Sequence, residues 1–229
     1  MRAEILSIGT ELLLGSILNT NARFLSQRLA ENAIDVYWQT TVGDNVDRIA
    51  EALDRAFSRS DLVVTSGGLG PTEDDVTTRG IARSLGVSLE LHRPTYRAIL
   101  RRLKIRGLRM TKLIARQCEI PAGAKTFPNL NGTAPGLLIA VRRGGAPKWL
   151  LVLPGPPREL EPMFVRLALP ELLRRARVKR EVFVIRSLRL AGLIEAQVAE
   201  KVTDLLRLPP PLTVGIYARP CEVELKIMS

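Results

Sequence analysis

Short apolar runs that close on glycine alternate with stretches of helical periodicity through most of this 229-residue chain, and that alternation leaves few folds open. "AEILSIG" closes on Gly9, and in the following "NTNARFLSQRLAEN" Ala22, Leu25, Leu29 and Ala33 fall at helical spacing. The strand-like "IDVYWQTTV" leads into "NVDRIAEALDRAFS", where Val46, Ile49, Leu53, Ala56 and Phe57 share one face behind Asn45, a suitable cap. "DLVVTS" is a third strand, followed by a glycine-rich loop and the short helix "TRGIARSL", with Thr77 as its expected cap and Gly86 as its stop. Strands separated by helices predict βαβ units with right-handed crossovers, so the fold class is α/β: a mostly parallel sheet with helices on both faces.

Two strands, "GLLIAV" and "KWLLVL", predict a hairpin around "RRGGAP", and "PGPPRELEPMF" predicts a turn into a helix with Pro157 in its first turn. After that the pattern changes. "REVFVIRSLRL", "IEAQVAEKVTDLL", "LTVGIYA" and "EVELKIM" read as strand, helix, strand, strand, a small α+β module. We expect one domain over residues 1–176 and the module over 177–229, joined by the basic "RRARVKR" and incomplete at its C-terminus. With no charged, apolar leader and no run near the roughly 20 apolar residues of a membrane span, the chain is expected to be cytoplasmic and free of membrane. Cys118 and Cys221 have no Cys or His near them in sequence and are expected to be two buried thiols.

The formal net charge of +11 is unevenly placed. Residues 1–90 hold 8 basic against 13 acidic side chains, whereas 91–120 hold 9 basic and one acid, Glu119. The segment Arg97 to Arg116 carries eight basic residues and no acid, yet Ile99, Leu100, Leu103, Leu108, Leu113 and Ile114 demand a buried face, on the sheet or on another subunit. A homodimer in which this segment approaches the partner's acidic half is the expectation.

Chemistry concentrates where three strands end, since open parallel sheets bind ligands outside their carboxyl ends. These ends are "GTELLLG" (9–15), "GGLGPTEDDVT" (67–77) and "PGPP" (154–157). The glycine loop is neither a P-loop nor a dinucleotide motif, but its backbone N–H groups and the helix after it favour an anion. Asp74 and Asp75 beside such a site either complement the helix dipole or hold a divalent cation, and Glu11 at the rim poses the same choice. Asp44 is either a helix cap or a crevice residue, and "NGTAPG" with Thr133 is either a plain loop or a place of close ligand approach. His92, the only histidine, is expected on the surface without a catalytic partner.

"GTELLLGSILNTNARFLSQRLAENAIDVYWQTTVGDN", "SDLVVTSGGLGPTEDDVT", "IPAGAKTFPNLNGTAPG" and "LPGPPRELEPMF" together resemble the competence/damage-inducible protein A (CinA) family over residues 1 to about 165. The resemblance implies a molybdopterin-binding-like domain of the MogA and MoaB type, followed by a KH-like module. It implies metal-dependent hydrolysis of the pyrophosphate of ADP-ribose to AMP and ribose 5-phosphate. Glu11, Asp74 and Asp75 would then be catalytic and ligate Mg²⁺, Mn²⁺ or Co²⁺, with K⁺ as a further ion. Substrate contacts would come from Thr10, Asp44, Gly67, Gly68, Gly70, Thr72, Asn131, Thr133, Gly155 and Pro156. The competing reading is a molybdopterin-binding or adenylyl-transfer protein. The module's "AGLIEAQ" lacks the GXXG loop that clamps a nucleic-acid backbone, so nucleic acid is not the expected partner.

Overall fold

A computed structural model describes residues 1–143, 145, 147–177, 184–209 and 212–228. They fall into two compact units, Met1–Ala30 with Ile34–Lys179, and Glu31–Ala33 with Arg180–Ser229. In the larger unit six described strands form one sheet in the order β2 (Asp35–Val42), β1 (Arg2–Ile8), β3 (Leu62–Ser66), β8 (Pro147–Leu153), β7 (Gly136–Arg142), β6 (Lys125–Phe127); β4 (Leu89–Leu91) and β5 (Glu119–Pro121) pair separately, and the short helix α1 (Thr10–Leu13) follows β1. The first four run parallel, and β7 and β6 complete the sheet antiparallel. The hairpin of β7 and β8 is as expected, although Gly144 and Ala146 of its turn lie outside the described residues.

Both sheet faces are covered, which is why the central strands read as apolar runs rather than as alternation. On one face, Ala3, Ile5, Leu62, Val64, Leu151 and Leu153 meet Leu25 and Leu29 of α2 (Thr20–Ala30) and Leu160 of α7 (Pro157–Met163), with Leu172 of α8 (Leu169–Ala176). On the other, Leu6, Ile8, Val63, Leu150 and Val152 meet Ile49, Leu53 and Phe57 of α3 (Val46–Arg59) and Ile81 of α4 (Thr77–Leu85). The expected face of α3 is the one buried. Asn45 caps this helix, its Oδ1 accepting from the N–H of Asp47 and Arg48 at 3.1 and 3.0 Å, a bond worth about 1 kcal/mol.

Among the described residues of this unit one carboxylate is buried in the interior beside a few neutral polar groups. Glu4 on β1 is 1% exposed. Its carboxylate accepts from Arg59 Nε and Nη2 at 2.8 and 2.7 Å and from Thr40 Oγ1 at 2.7 Å. The Arg59 guanidinium also lies 4.6 Å from the centroid of the Trp38 ring. Three hydrogen bonds and a facing charge make the buried carboxylate tolerable.

Four local expectations change. Val76, not Thr77, is the cap of α4; the Thr77 hydroxyl instead donates to the carbonyl of Gly67 at 2.9 Å. The basic segment divides at Gly107, where φ is +66°, into α5 (Arg93–Ile105) and α6 (Lys112–Arg116). Its apolar demand is met partly inside the chain, since Ile99 and Leu103 pack with Cys118 in a satellite core. His92 is half-buried and caps α5, its Nδ1 2.8 Å from Thr95 Oγ1. Only one of the two thiols is buried: Cys118 is, and Cys221 is exposed. Burial, helped by the charge of Glu119, pushes the Cys118 thiol up to about 11, so it is protonated and shielded at neutral pH. Ellman's reagent at pH 8 is expected to titrate one thiol per native chain and two in guanidinium. Two fast thiols in the native protein would contradict this packing.

In the smaller unit β9 (Ile185–Ala191) and β10 (Thr213–Arg219) flank β11 (Glu222–Met228) in an antiparallel sheet, with α9 (Glu195–Lys201) and α10 (Thr203–Leu206) between β9 and β10. The expected single helix breaks at Val202. The start of the "REVFVIRSLRL" strand, part of "RRARVKR", and Pro210 and Pro211 lie outside the described residues. No helix among the described residues is long and apolar enough to cross a membrane.

Candidate functional site

Because β1, β3 and β8 are parallel neighbours, their carboxyl ends open side by side. The loops after them touch: a Cβ on Gly155 would lie 3.5 Å from the Cα of Gly67. Two adjoining cavities result. One, of about 650 Å³, is lined by Glu11, Ile17, Leu18, Asn19, Asn21, the glycine loop, Asp75, Thr133, Gly155, Pro156 and Glu159, among others. The other, of about 450 Å³, holds Thr72, Arg79, Arg116 and Glu119. Gly68, Leu69, Gly70, Asp75 and Gln117 line both, so the glycine loop and one carboxylate form the waist between them.

The glycines are demanded first by packing. At Gly67, with φ +105°, a Cβ would fall 2.0 Å from the carbonyl oxygen of Ile8, and at Gly68, with φ +63°, 2.2 Å from Thr77 Oγ1. Both contacts are impossible for a real side chain, so the loop is pressed onto β1 and onto the start of α4. Gly70 leaves room for the Asp75 carboxylate, whose Oδ2 accepts from Thr72 N and Oγ1 at 2.8 and 2.5 Å. Oδ1 takes neither bond. Glu11 folds back over Gly9, whose Cβ would fall 2.6 Å from its Oε1.

Of the residues expected at the site, Glu11, Gly67, Gly68, Gly70, Thr72, Asp75, Thr133, Gly155 and Pro156 line the two cavities. Thr10, Asp44, Asp74 and Asn131 line neither. Asp44 Oδ2 accepts from Thr10 N and Oγ1 at 2.8 and 2.9 Å. That latch ties the end of β2 to the turn that carries Glu11. Asn131 Nδ2 donates to the carbonyl of Arg158 at 2.7 Å, fixing its loop to α7. Asp74 is exposed in the loop before α4. Glu11, Asp74 and Asp75 are accordingly not gathered into one ligand set, and among the described residues no three His, Cys, Asp or Glu groups are arranged to hold a metal ion.

Sequence reasoning passed over several lining residues. Asn19, Asn21 and Glu159 were not singled out, yet all three line the wider cavity, where Glu159 Oε2 accepts from Asn129 Nδ2 at 2.8 Å. Arg79 and Arg116 were hidden in helical stretches; Arg116 pairs with Glu73 at 2.9 Å. The position of a basic residue one or two turns after a glycine loop was the available signal for Arg79.

The sequence model described as "Probable molybdopterin binding domain" matches residues 4–174, and that described as "Damage-inducible protein CinA KH domain" matches 185–229. A CinA-like protein of Kosmotoga olearia is 46% identical over the whole chain, which spans 54% of that relative's length. The crystal structure of the protein CinA from Thermoplasma acidophilum is 32% identical, with a TM-score of 0.67 over 78% of this chain and 99% of that one. The tungsten cofactor synthesizing protein MoaB from Pyrococcus furiosus shares the fold at 15% identity, with a TM-score of 0.52 over 79% of this chain and 97% of that one.

Proposed function

The chain belongs to the CinA family, and from that membership we propose that its larger unit hydrolyses the pyrophosphate of ADP-ribose, giving AMP and ribose 5-phosphate. The observation that carries the reading is the two-lobed cleft with Asp75 and the glycine loop at its waist. A substrate with a bulky group at each end and two phosphates between them matches that division: the ends occupy the lobes and the phosphates lie against the loop.

In the reaction a water oxygen bonds to one phosphorus while the bond from that phosphorus to the bridging oxygen breaks. Asp75 is the residue to accept the water's proton, because it lines both lobes. Glu11 and Asp75, which line the same lobe, are the residues that would hold a hard divalent cation, since such an ion on a phosphate substrate needs only one or two carboxylates rather than a full protein cage. When bound, such an ion neutralises phosphate charge and acidifies water. The Asp44–Thr10 latch holds the turn of Glu11, and Arg79 and Arg116 place positive charge in the smaller lobe. A homodimer joined through the basic segment belongs to the same reading, with Ile105 (85% exposed) and Leu108 (56%) as its apolar contacts.

The second reading, a molybdopterin-binding or adenylyl-transfer protein, draws on the family description and on the fold shared with MoaB. One assay separates them. Incubated with ADP-ribose and Mg²⁺, Mn²⁺ or Co²⁺, with and without K⁺, the protein is expected to release AMP in a metal-dependent manner. Folded protein that releases none under any of these conditions would favour the binding reading.

A further inference from the structure

One stretch of the cleft wall is backed by open space. Residues 128–135 join β6 to β7, and in this loop Thr133 lines the wider lobe while Pro135 lines the smaller one. Both residues also face away from the cleft, onto a separate cavity of about 370 Å³ that parts the loop from α5. The cavity walls are chiefly apolar, with Pro94, Ala98 and Ile99 on the α5 side and Phe127, Pro128 and Leu130 on the other. Atoms that face a void gain no packing from it, so contact with α5 does little to hold the loop.

One side chain crosses that space. Arg102, half-buried on α5, donates from Nη2 to the carbonyls of Asn129 and Leu130 at 2.8 and 2.6 Å. A hydrogen bond from an ionised donor is about twice as strong as a neutral one. On its far side the loop rests on α7. Asn129 Nδ2 donates to Glu159 Oε2 and to the carbonyl of Ala134, both at 2.8 Å, and a Cβ on Gly132 would fall 2.0 Å from Glu159 Oε2. The loop is thus blocked toward α7 and open toward α5, and Arg102 spans the open side.

We propose that Arg102 is a positioning residue for the cleft: through the carbonyls of Asn129 and Leu130 it fixes where Thr133 stands against a bound substrate, and the cavity behind the loop is the space into which the wall retreats when that tie is cut. Arg102 lines neither lobe of the cleft, so it acts only through the loop. Its effect on turnover rests on the reading of the cleft as a pyrophosphatase site.

Arg102→Ala, measured beside wild type, tests the assignment. Amide hydrogen exchange in residues 128–136 is expected to quicken about tenfold or more, with β1, β3 and α3 unchanged. The kcat for AMP release from ADP-ribose should fall about tenfold to 100-fold, with KM within about threefold, since the glycine loop and Asp75 are untouched. Guanidinium ion at non-denaturing concentration should restore part of the loss, because the vacated site opens onto the cavity; a general loss of stability would not recover in this way. Arg102→Lys keeps the charge and a donor and should fall between the two, and it carries the comparison if the alanine variant does not fold. Arg93→Ala, which removes a charge from the exposed start of the same helix, should turn over like wild type. Unchanged exchange in Arg102→Ala, a kcat within about twofold of wild type, an equal loss in Arg93→Ala, or a loss that neither guanidinium nor lysine recovers would overturn the assignment. Wild-type protein that releases no AMP would sink the pyrophosphatase reading; hydrogen exchange then still decides the tie, quickened exchange sustaining it and unchanged exchange sinking it.

Discussion

Replacing Asp75 with Asn is expected to lower AMP release from ADP-ribose by about 100-fold or more, the usual worth of a positioned acid–base group, while the protein melts within about 2 °C of wild type. Asn has the shape of Asp, and its amide oxygen can keep both bonds from Thr72 that Oδ2 now accepts. What the substitution removes is the negative charge at the waist of the cleft, which in the proposed reaction takes the proton from water and attracts a divalent cation. Substrate affinity should change far less than turnover, because the flanking lobes are untouched. Steady-state AMP assays beside a thermal melt make the comparison. Activity retained within a few-fold would remove Asp75 from the chemistry, and a collapsed melting temperature would show that its bonds to Thr72 serve the fold.

Arg59→Ala should produce the largest loss of stability among single surface-reaching substitutions. It strands the Glu4 carboxylate, 1% exposed, with only the Thr40 hydroxyl as a side-chain donor. Breaking a buried pair from one side costs about 3 to 5 kcal/mol, and because the Arg59 side chain is 38% exposed, water entering its place trims the loss to about 2 to 3 kcal/mol. For a chain of this size that is a fall of about 5 to 10 °C in melting temperature. The double variant Glu4→Leu with Arg59→Met should recover much of the loss, since it leaves no unpaired charge. A fall below about 2 °C in Arg59→Ala would show that Glu4 is solvated by other means.

The contrast between what could and could not be read from the sequence follows from the range of the forces involved. The alternation of strands and helices, the Asn45 cap and the proline-led helix after "PGPP" were legible because each rests on residues a few positions apart. The meeting of three strand ends was legible because parallel sheets present all such ends on one edge. Side-chain commitments were not. Asp44 and Asn131 look like ligand residues at strand ends and loops, but their partners, Thr10 and Arg158, lie 34 and 27 positions away. Glu4 reads as an ordinary strand residue until Arg59, 55 positions on, is brought beside it. Gly67 and Gly68 invite a ligand when read in sequence, whereas the carbonyl of Ile8 and the hydroxyl of Thr77 already occupy the space that a side chain would need. Cys221 and Cys118 look alike in sequence, and only the tertiary fold makes one exposed and the other inert.

The pairing of β3 with β8 places Leu62 opposite Trp149, 87 positions apart, in the middle of the sheet. In a nascent chain the segments of the first three parallel strands therefore emerge well before the fourth, and until it arrives the apolar "LVVTS" has no partner on one side. Closure of so long a loop carries an entropic cost that local pairings do not. The cleft, which needs the loops after β1, β3 and β8 together, can form only after that event. A ligand held in this cleft, as proposed above, would thus report on completion of the sheet, and during synthesis the strand with an unpaired edge is a segment in need of protection from association with other chains.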